Sequence, residues 1–300
     1  MGGRRVGFAF SSALTLMAIF FFFHQGLAYG IDFKGGILME VRAREGVADL
    51  ALMRDKLGGL GLGEHDLQGF GQPSDAAIRI AQQPGGEAAQ QRAVEKVRTA
   101  LGPGFDYRRV EFVGPKVGDE LVRAGIIAAV MALLGIMAYI WFRFEWQFAL
   151  GGAATVFHDM ITTVGLFSFT QMQFDLNTLA AILTIAGYSL NDTVVVYDRI
   201  REDLRKYKKM PLVELFNLAL NETLSRTVLT SLTTMLALVA LVMFGGEVIS
   251  GFSIAMIWGV IVGTYSTCFI SVPLLLYMNM RRQVEADDVQ GSPAGGKTVP

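Results

Sequence analysis

The stretch LNTLAAILTIAGYSLNDTVVVY, residues 176–197, carries one charged residue, Asp192, in an otherwise uncharged and largely apolar run. An α-helix rises 1.5 Å per residue, so about 20 such residues cross the roughly 30 Å hydrocarbon core of a bilayer. The segment reads as a membrane span, and as one that keeps a carboxylate in hydrocarbon. Five further stretches meet the same test, at about 6–29, 122–142, 149–169, 225–244 and 249–276. The expected fold is a polytopic α-helical membrane protein with six transmembrane helices. Composition agrees: 52% of the 300 residues are hydrophobic and only 18% charged, beyond an ordinary soluble domain.

Basic residues orient the spans. Arg4 and Arg5 precede the first, Arg143 follows the second, Arg199, Arg201, Arg205, Lys206, Lys208 and Lys209 follow the fourth, and Arg281 and Arg282 follow the sixth. The opposite connections, 170–175 and 245–248, contain no Lys or Arg. The positive-inside rule then predicts both termini in the cytoplasm. The start of the chain has a basic flank, an apolar run and a small-x-small Gly26-Leu27-Ala28, which also suits a cleaved signal peptide. Because the whole stretch can span, it is read as a retained helix. The net charge of −1 gives no electrostatic case for nucleic acid. The single cysteine, Cys268, lies in an apolar segment, which leaves no intrachain disulfide and no cysteine metal cluster.

Between the first two spans, in residues 30–121, the pattern changes to that of a small domain with flanking linkers. ILMEVRA (37–43) alternates like a strand, and VADLALMRDKLGGLG (47–61) has helical spacing and stops at glycines. DLQGFGQ (66–72) and AAIRIAQ (76–82) read as strands around a Pro73-Ser74-Asp75 turn. A helix over 87–102 and a strand over 106–114 complete the order β-α-β-β-α-β, that of a ferredoxin-like α+β unit. Nothing in this domain suggests catalysis. The segment 277–300 reads as a disordered cytoplasmic tail.

Ionisable groups inside a span are costly, so each is a functional candidate. Helical spacing puts Thr184, Tyr188, Ser189 and Asp192 on one stripe of the fourth span that continues to Arg199. Arg226 opens the fifth span, with Thr230, Thr233 and Thr234 above it. The third carries His158 and Asp159, with Thr155, Thr162 and Thr163 on the side of Asp159. A carboxylate that alternately approaches and leaves a guanidinium in low dielectric releases and takes up a proton. The pattern therefore predicts proton movement through Asp192 and Arg226, with Asp159 and His158 as further candidates and Tyr188, Ser189 and Thr230 lining the seam. An intramembrane aspartyl protease built on Asp159 and Asp192 is the enzymatic rival, but no protease-like pattern accompanies the two acids. No enzyme activity, cofactor or metal is expected, and the proton is the coupling ion. Gly259 and Gly263 form a GxxxG that predicts close helix packing.

Several blocks together resemble the SecD/SecF family of bacterial protein-export membrane proteins, part of the resistance-nodulation-division superfamily. They are GYSLNDTVVVYDRIRE (187–202), ETLSRTVLTSLTT (222–234), RFEWQFALGG (143–152), FHD (157–159), FDLNTLAAIL (174–183) and IDFKGG (31–36). The resemblance implies a multi-pass protein of the bacterial inner membrane with its outer domain in the periplasm, and a second six-span partner, SecD. It further implies work beside the SecYEG channel, with YajC and the ATPase SecA as indirect partners, on unfolded preprotein drawn across the lipid bilayer by the proton-motive force. The family's relay aspartate and arginine correspond to Asp192 and Arg226. The motif after the first span corresponds to Asp32, Phe33, Gly35 and Gly36, with Lys34 where the family usually has Thr or Ser. The rivals are a small-molecule or lipid exporter of the same superfamily and a passive translocase scaffold.

Overall fold

The computed structural model describes residues 1–69, 71–245 and 249–278. The tail expected beyond 277 lies outside them from residue 279 on, as do Arg281 and Arg282. From the N-terminus, α1 (Arg4–Gln25) leads through the two-residue strand β1 (Ala28–Tyr29) and the single turn α2 (Ile31–Lys34) into the inserted domain. That domain comprises β2 (Gly36–Ala43), α3 (Leu50–Gly58), β3 (His65–Gly69), β4 (Asp75–Ile80), α4 (Glu87–Leu101) and β5 (Phe105–Val113). The bundle continues with α5 (Pro115–Arg143), α6 (Trp146–Thr170), the short β6 (Gln173–Phe174), α7 (Leu176–Lys206) and α8 (Leu212–Phe244). The last helix runs as α9 (Ser250–Ser266), a π-helical turn (Thr267–Ser271) and α10 (Val272–Leu275).

Six of these helices are long and apolar enough to cross a membrane, among the described residues. They do not share burial equally. Half or more of the apolar window is buried in α6 (56%), α7 (50%) and the last helix (56%), against 17% in α1, 11% in α8 and none in α5. The first three make an inner layer; α5 and α8 present their sides outward. Small residues allow the close approaches. A side chain on Gly165 of α6 would overlap Ala18 of α1, and one on Gly259 of α9 would overlap Ile185 of α7. Two apolar clusters fill the bundle. Phe167, Phe174, Ile182, Ile185, Met256 and Val260 pack at the end nearer the domain, and Ile140, Phe144, Phe148, Tyr197, Leu215 and Phe216 pack at the end with the basic connections.

In the domain, β3-β4-β2-β5 form one antiparallel sheet, so the four strands lie in the spatial order second, third, first, fourth. With two intervening helices, this fits the split β-α-β arrangement read from the sequence. Alternation decides which face is buried: Ile37, Met39, Val41, Ala76, Ile78 and Ile80 point into a core closed by Met53, Leu57, Ala93, Val94 and Val97 of the helices. Asp49 ends the loop before α3 by accepting hydrogen bonds from the Ala51 and Leu52 amides at 3.0 and 3.1 Å. That N-cap is why the helix starts at Leu50 and not at Val47, where apolar spacing alone begins.

The opposite face of the sheet is polar. Arg42 of β2 stands across from Asp75 of β4, and its Nε and Nη2 donate to the two carboxylate oxygens at 2.5 and 2.6 Å. This fork-on-fork pair holds the Asp75 carboxyl below its usual value of 3.8. The unfolded chain therefore binds the Asp75 proton at a higher pH than the folded domain does. The pair's stabilisation is complete above 3.8 and is lost as pH falls through the lowered folded value. Hydrogen-exchange protection of residues 75–80, corrected for intrinsic rates, is expected to drop on acidification. Asp75→Asn should remove that part of the pH dependence and lower protection at neutral pH.

Gly36, which opens β2, has φ of +128°, and a Cβ there would stand 2.5 Å from the Ile80 carbonyl oxygen. Gly36→Ala combines left-handed strain with a backbone clash. It is expected to destabilise the domain by about 1–3 kcal/mol. Faster exchange in residues 36–43 and 75–80 of the full chain would register it, with the bundle's protection unchanged.

Candidate functional site

Asp159 lies in the middle of α6 and is fully buried. Its Oδ1 is 2.9 Å from His158 Nδ1, and its Oδ2 accepts hydrogen bonds from Ser189 Oγ of α7 at 2.6 Å and Ser266 Oγ of α9 at 2.8 Å. One carboxylate thus joins three helices. Thr162 and Thr163, expected beside the acid, instead donate to its main-chain carbonyl at 3.1 and 2.7 Å. Thr155 bonds the Gly151 carbonyl.

The contact continues toward the basic end. Thr193 meets Thr267 at 2.9 Å, and the Tyr197 hydroxyl meets Ser271. Residues 189, 193 and 197 are one turn apart on one side of α7, so this face is clasped by hydroxyls along two turns. Their partners sit at the π-helical turn. Pro273 has no N–H to offer the Phe269 carbonyl, and the helix widens just before it. Sequence reasoning missed this ladder. The spacing of 189, 193 and 197 against 266, 267 and 271 is visible in hindsight, but only their proximity gives it meaning.

Asp192 belongs to a second, separate system. It is 3% exposed, and its Oδ2 has no hydrogen-bond partner among the described residues. Arg226 of α8 is near enough to act on its charge, yet the two form no ion pair among the described residues. The Arg226 side chain is exposed on the flank of the bundle, in a cavity of about 520 Å³ that Tyr139, Asn191, Val194 and Asp198 also line. The stripe read as one polar seam therefore divides. Ser189 serves Asp159, whereas Asp192 looks toward α8. Thr230 donates to its own helix, to the Arg226 carbonyl at 3.0 Å, and the Tyr188 hydroxyl is buried without a partner among the described residues. Arg199, at the end of the expected stripe, is committed elsewhere: it bonds Glu222 of α8 at 2.5 Å and Glu202 at 2.7 Å. Among the described residues, no three His, Cys, Asp or Glu side chains come together as a metal site.

The motif after the first helix forms the joint between domain and bundle. Asp32 Oδ2 accepts a hydrogen bond from the Leu176 amide at 3.1 Å, and Asp175 caps the same helix through the Thr178 amide at 2.8 Å. The N-terminus of α7, the helix that carries Asp192, is thus held partly by a residue of the domain's own stem. Phe33 packs on Phe174 with ring centroids 5.8 Å apart. Gly35 turns the chain with φ of +70° before Gly36 enters the sheet. Beside this, β1 and β6 pair in parallel, and Arg79 of β4 donates to Gln173 at 2.6 Å.

Comparison with known proteins follows this geometry closely. The family model for protein export membrane protein SecD/SecF, C-terminal, matches residues 93–281, and that for the SecD/SecF GG motif matches 20–47. The chain belongs to the SecD/SecF family. Protein translocase subunit SecF of Rickettsia felis is 46% identical over 286 residues, covering 94% of this chain and 92% of its own. That of Rickettsia bellii is 47% identical over 279 residues, covering 92% and 91%. Among solved structures, SecDF of Thermus thermophilus, described as a translocon-associated membrane protein, superposes with a TM-score of 0.84 at 34% identity. The match covers 93% of this chain and 38% of that one, so this chain spans well under half of the SecDF polypeptide. A SecDF structure in a super-membrane-facing form matches with a TM-score of 0.68 at 34% identity, covering 96% and 40%. The region of the GG motif model thus contains the Asp32 cap together with Gly35 and Gly36 of the joint.

Asp32→Ala removes one acceptor from the α7 N-terminus and leaves Asp175 in place. The expected cost is about 1 kcal/mol. Amide exchange at 174–178 should accelerate while exchange in the sheet core stays unchanged.

Proposed function

We propose that this chain is one half of a proton-driven protein-export unit. Paired with a six-span SecD subunit, it uses the proton-motive force to promote movement of unfolded preprotein across the bacterial inner membrane, beside SecYEG and with YajC and SecA as indirect partners. The family match and the names of the relatives support the export role. Both termini are cytoplasmic and the domain is periplasmic in this reading, which the clustering of Arg143, Arg199, Arg201, Arg205 and Lys206 at one end of the bundle supports.

The observation that carries the mechanism is Asp192: a buried carboxylate with an unpartnered oxygen, next to a helix whose Arg226 is exposed within the membrane zone. A guanidinium that approaches this acid favours the carboxylate, and its withdrawal favours the protonated form. A proton crossing with the potential supplies about 2.3 kcal/mol per 100 mV, enough over a few protons to drive a conformational cycle. The unburied sides of α5 and α8 are where a second bundle fits, and that bundle supplies the polar groups Asp192 and Arg226 lack here. The cycle needs no enzymatic chemistry and no bound cofactor; protons are the coupling ion. The periplasmic domain passes the motion to the preprotein.

Asp192→Asn is expected to assemble with its partner normally and to lose the gradient-dependent part of preprotein translocation in vesicles. Export should fall to the level seen when the proton gradient is collapsed. A variant that still responds to the gradient overturns the relay and leaves a scaffold.

A further inference from the structure

The Asp159 site is complete within this chain, and the exchange proposed for Asp192 and Arg226 makes no use of it. Its hydrogen bonds have an unusual property: the same heavy-atom positions serve both states of the acid. Ser266 Oγ has one hydrogen and two acceptors in reach, Asp159 Oδ2 at 2.8 Å and the Gly263 carbonyl at 3.1 Å. When Asp159 is ionised, the Ser266 hydroxyl donates to Oδ2. When a proton sits on Oδ2, the acid donates to Ser266 Oγ, whose own hydrogen turns to Gly263. Ser189, at 2.6 Å, donates to Oδ2 in either case. Only hydroxyl hydrogens rotate.

His158 does not lock the acid in its charged form. With the hydrogen on Nδ1 it donates to Oδ1 in both states, an assignment made from the bond itself. Its Nε2 is buried without a partner among the described residues, so a second ring proton would be an unsatisfied buried N–H. The helices packed around α6 bring no cation to this level. α1 has none between Arg5 and His24, α5 none between Arg123 and Arg143, and the last helix none between 250 and 275. Tyr265 of α9 spends its hydroxyl on the Gly7 carbonyl at 2.8 Å, and Cys268 of the π-turn feels Asp192. On α7 the basic residues begin at Arg199, and the ionisable groups near Ser189 are Tyr188 beside it and Asp192, three residues on and so about one turn away.

We infer that Asp159 is a second proton-binding carboxylate, held between α6, α7 and α9 by the Ser189 and Ser266 hydroxyls. Its proton moves on and off Oδ2 with no other bond made or broken, and the Ser266 hydroxyl reverses as it does. The inference rests on the proton-coupled reading of the bundle, to which it adds a second place where the inner layer holds a proton.

Infrared difference spectra of the full chain in lipid, recorded as pH is stepped, test both levels. Protonated carboxylic acids absorb apart from carboxylates and shift in D₂O. Asp159→Asn should delete one titrating acid band, and Asp192→Asn should delete another. Ser189→Ala, which keeps the acid and removes a donor that favours its charged form, should move that band to higher pH. If Asp159→Asn does not assemble, this Ser189 variant decides the question by the same shift. Loss of a band in Asp192→Asn, with every band kept in Asp159→Asn and unmoved in Ser189→Ala, overturns the Asp159 inference alone. No band lost in Asp192→Asn overturns the relay reading beneath it.

Discussion

In hydrocarbon, a carboxylate has no water to turn to, so whatever hydrogen bonds Asp159 makes must come from protein. It obtains them from His158 on its own helix, Ser189 on α7 and Ser266 on α9. That requirement fixes how three helices are rotated about their axes. Once Ser189 faces Asp159, Thr193 and Tyr197 must face Thr267 and Ser271, because they follow at one-turn intervals. The same rotation decides where Asp192 looks. Asp192 stands three residues beyond Ser189, where it is near enough to act on Arg226 of α8 and Cys268 of the last helix, with one oxygen unpartnered among the described residues. The inner layer is thus polar at its centre and apolar at both ends, with Phe167 and Phe174 above and Phe148 and Phe216 below.

The domain is tied to this layer at the start of α7. Asp32 bonds the Leu176 amide, Arg79 reaches Gln173, and β1 pairs with β6, all within a few residues of one helix end. Leu176 and Asp192 are sixteen positions apart on one helix, or about 24 Å. No proline interrupts α7 between them, so one continuous helix connects the acid to the Asp32 joint. The two glycines beside that joint also fit a mechanical role, since they carry the chain straight from the stem into the central strand of the sheet with no flexible linker between.

The sequence reading located the spans because apolar length is a local property, and the domain strands because alternation is too. The helix over 87–102 and the strands at 37–43 and 106–114 appear within a residue or so of their expected ends. What it could not supply were partners. Ser189, Asp192 and Arg199 lie on one stripe by arithmetic, yet Ser189 meets Asp159 of α6, Asp192 keeps one oxygen unpartnered among the described residues, and Arg199 meets Glu222. Helical spacing gives an azimuth to each residue relative to its neighbours but says nothing about which helix stands opposite. The cap at Leu176 was equally hidden: its donor and acceptor are 144 positions apart. The π-turn had one local sign, Pro273, that its reading as a plain span passed over.

The two acidic systems differ in a way that bears on what the chain is for. Asp159 is saturated: every oxygen has a partner, and those partners belong to the same polypeptide. Asp192 and Arg226 are the reverse, one buried with a free oxygen, the other charged and exposed where lipid would be. A guanidinium left in contact with hydrocarbon is expensive enough that a folded protein does not keep it so. Snorkelling toward the headgroups relieves part of that cost, since Arg226 stands in the half of α8 nearer the basic loop. It does nothing for Asp192, whose free oxygen is enclosed. The two defects lie on the side where α5 and α8 are least buried, which makes them parts of one interface. The chain is closed around Asp159 and open around Asp192, and in the proposed export unit the open side is the one a second bundle covers.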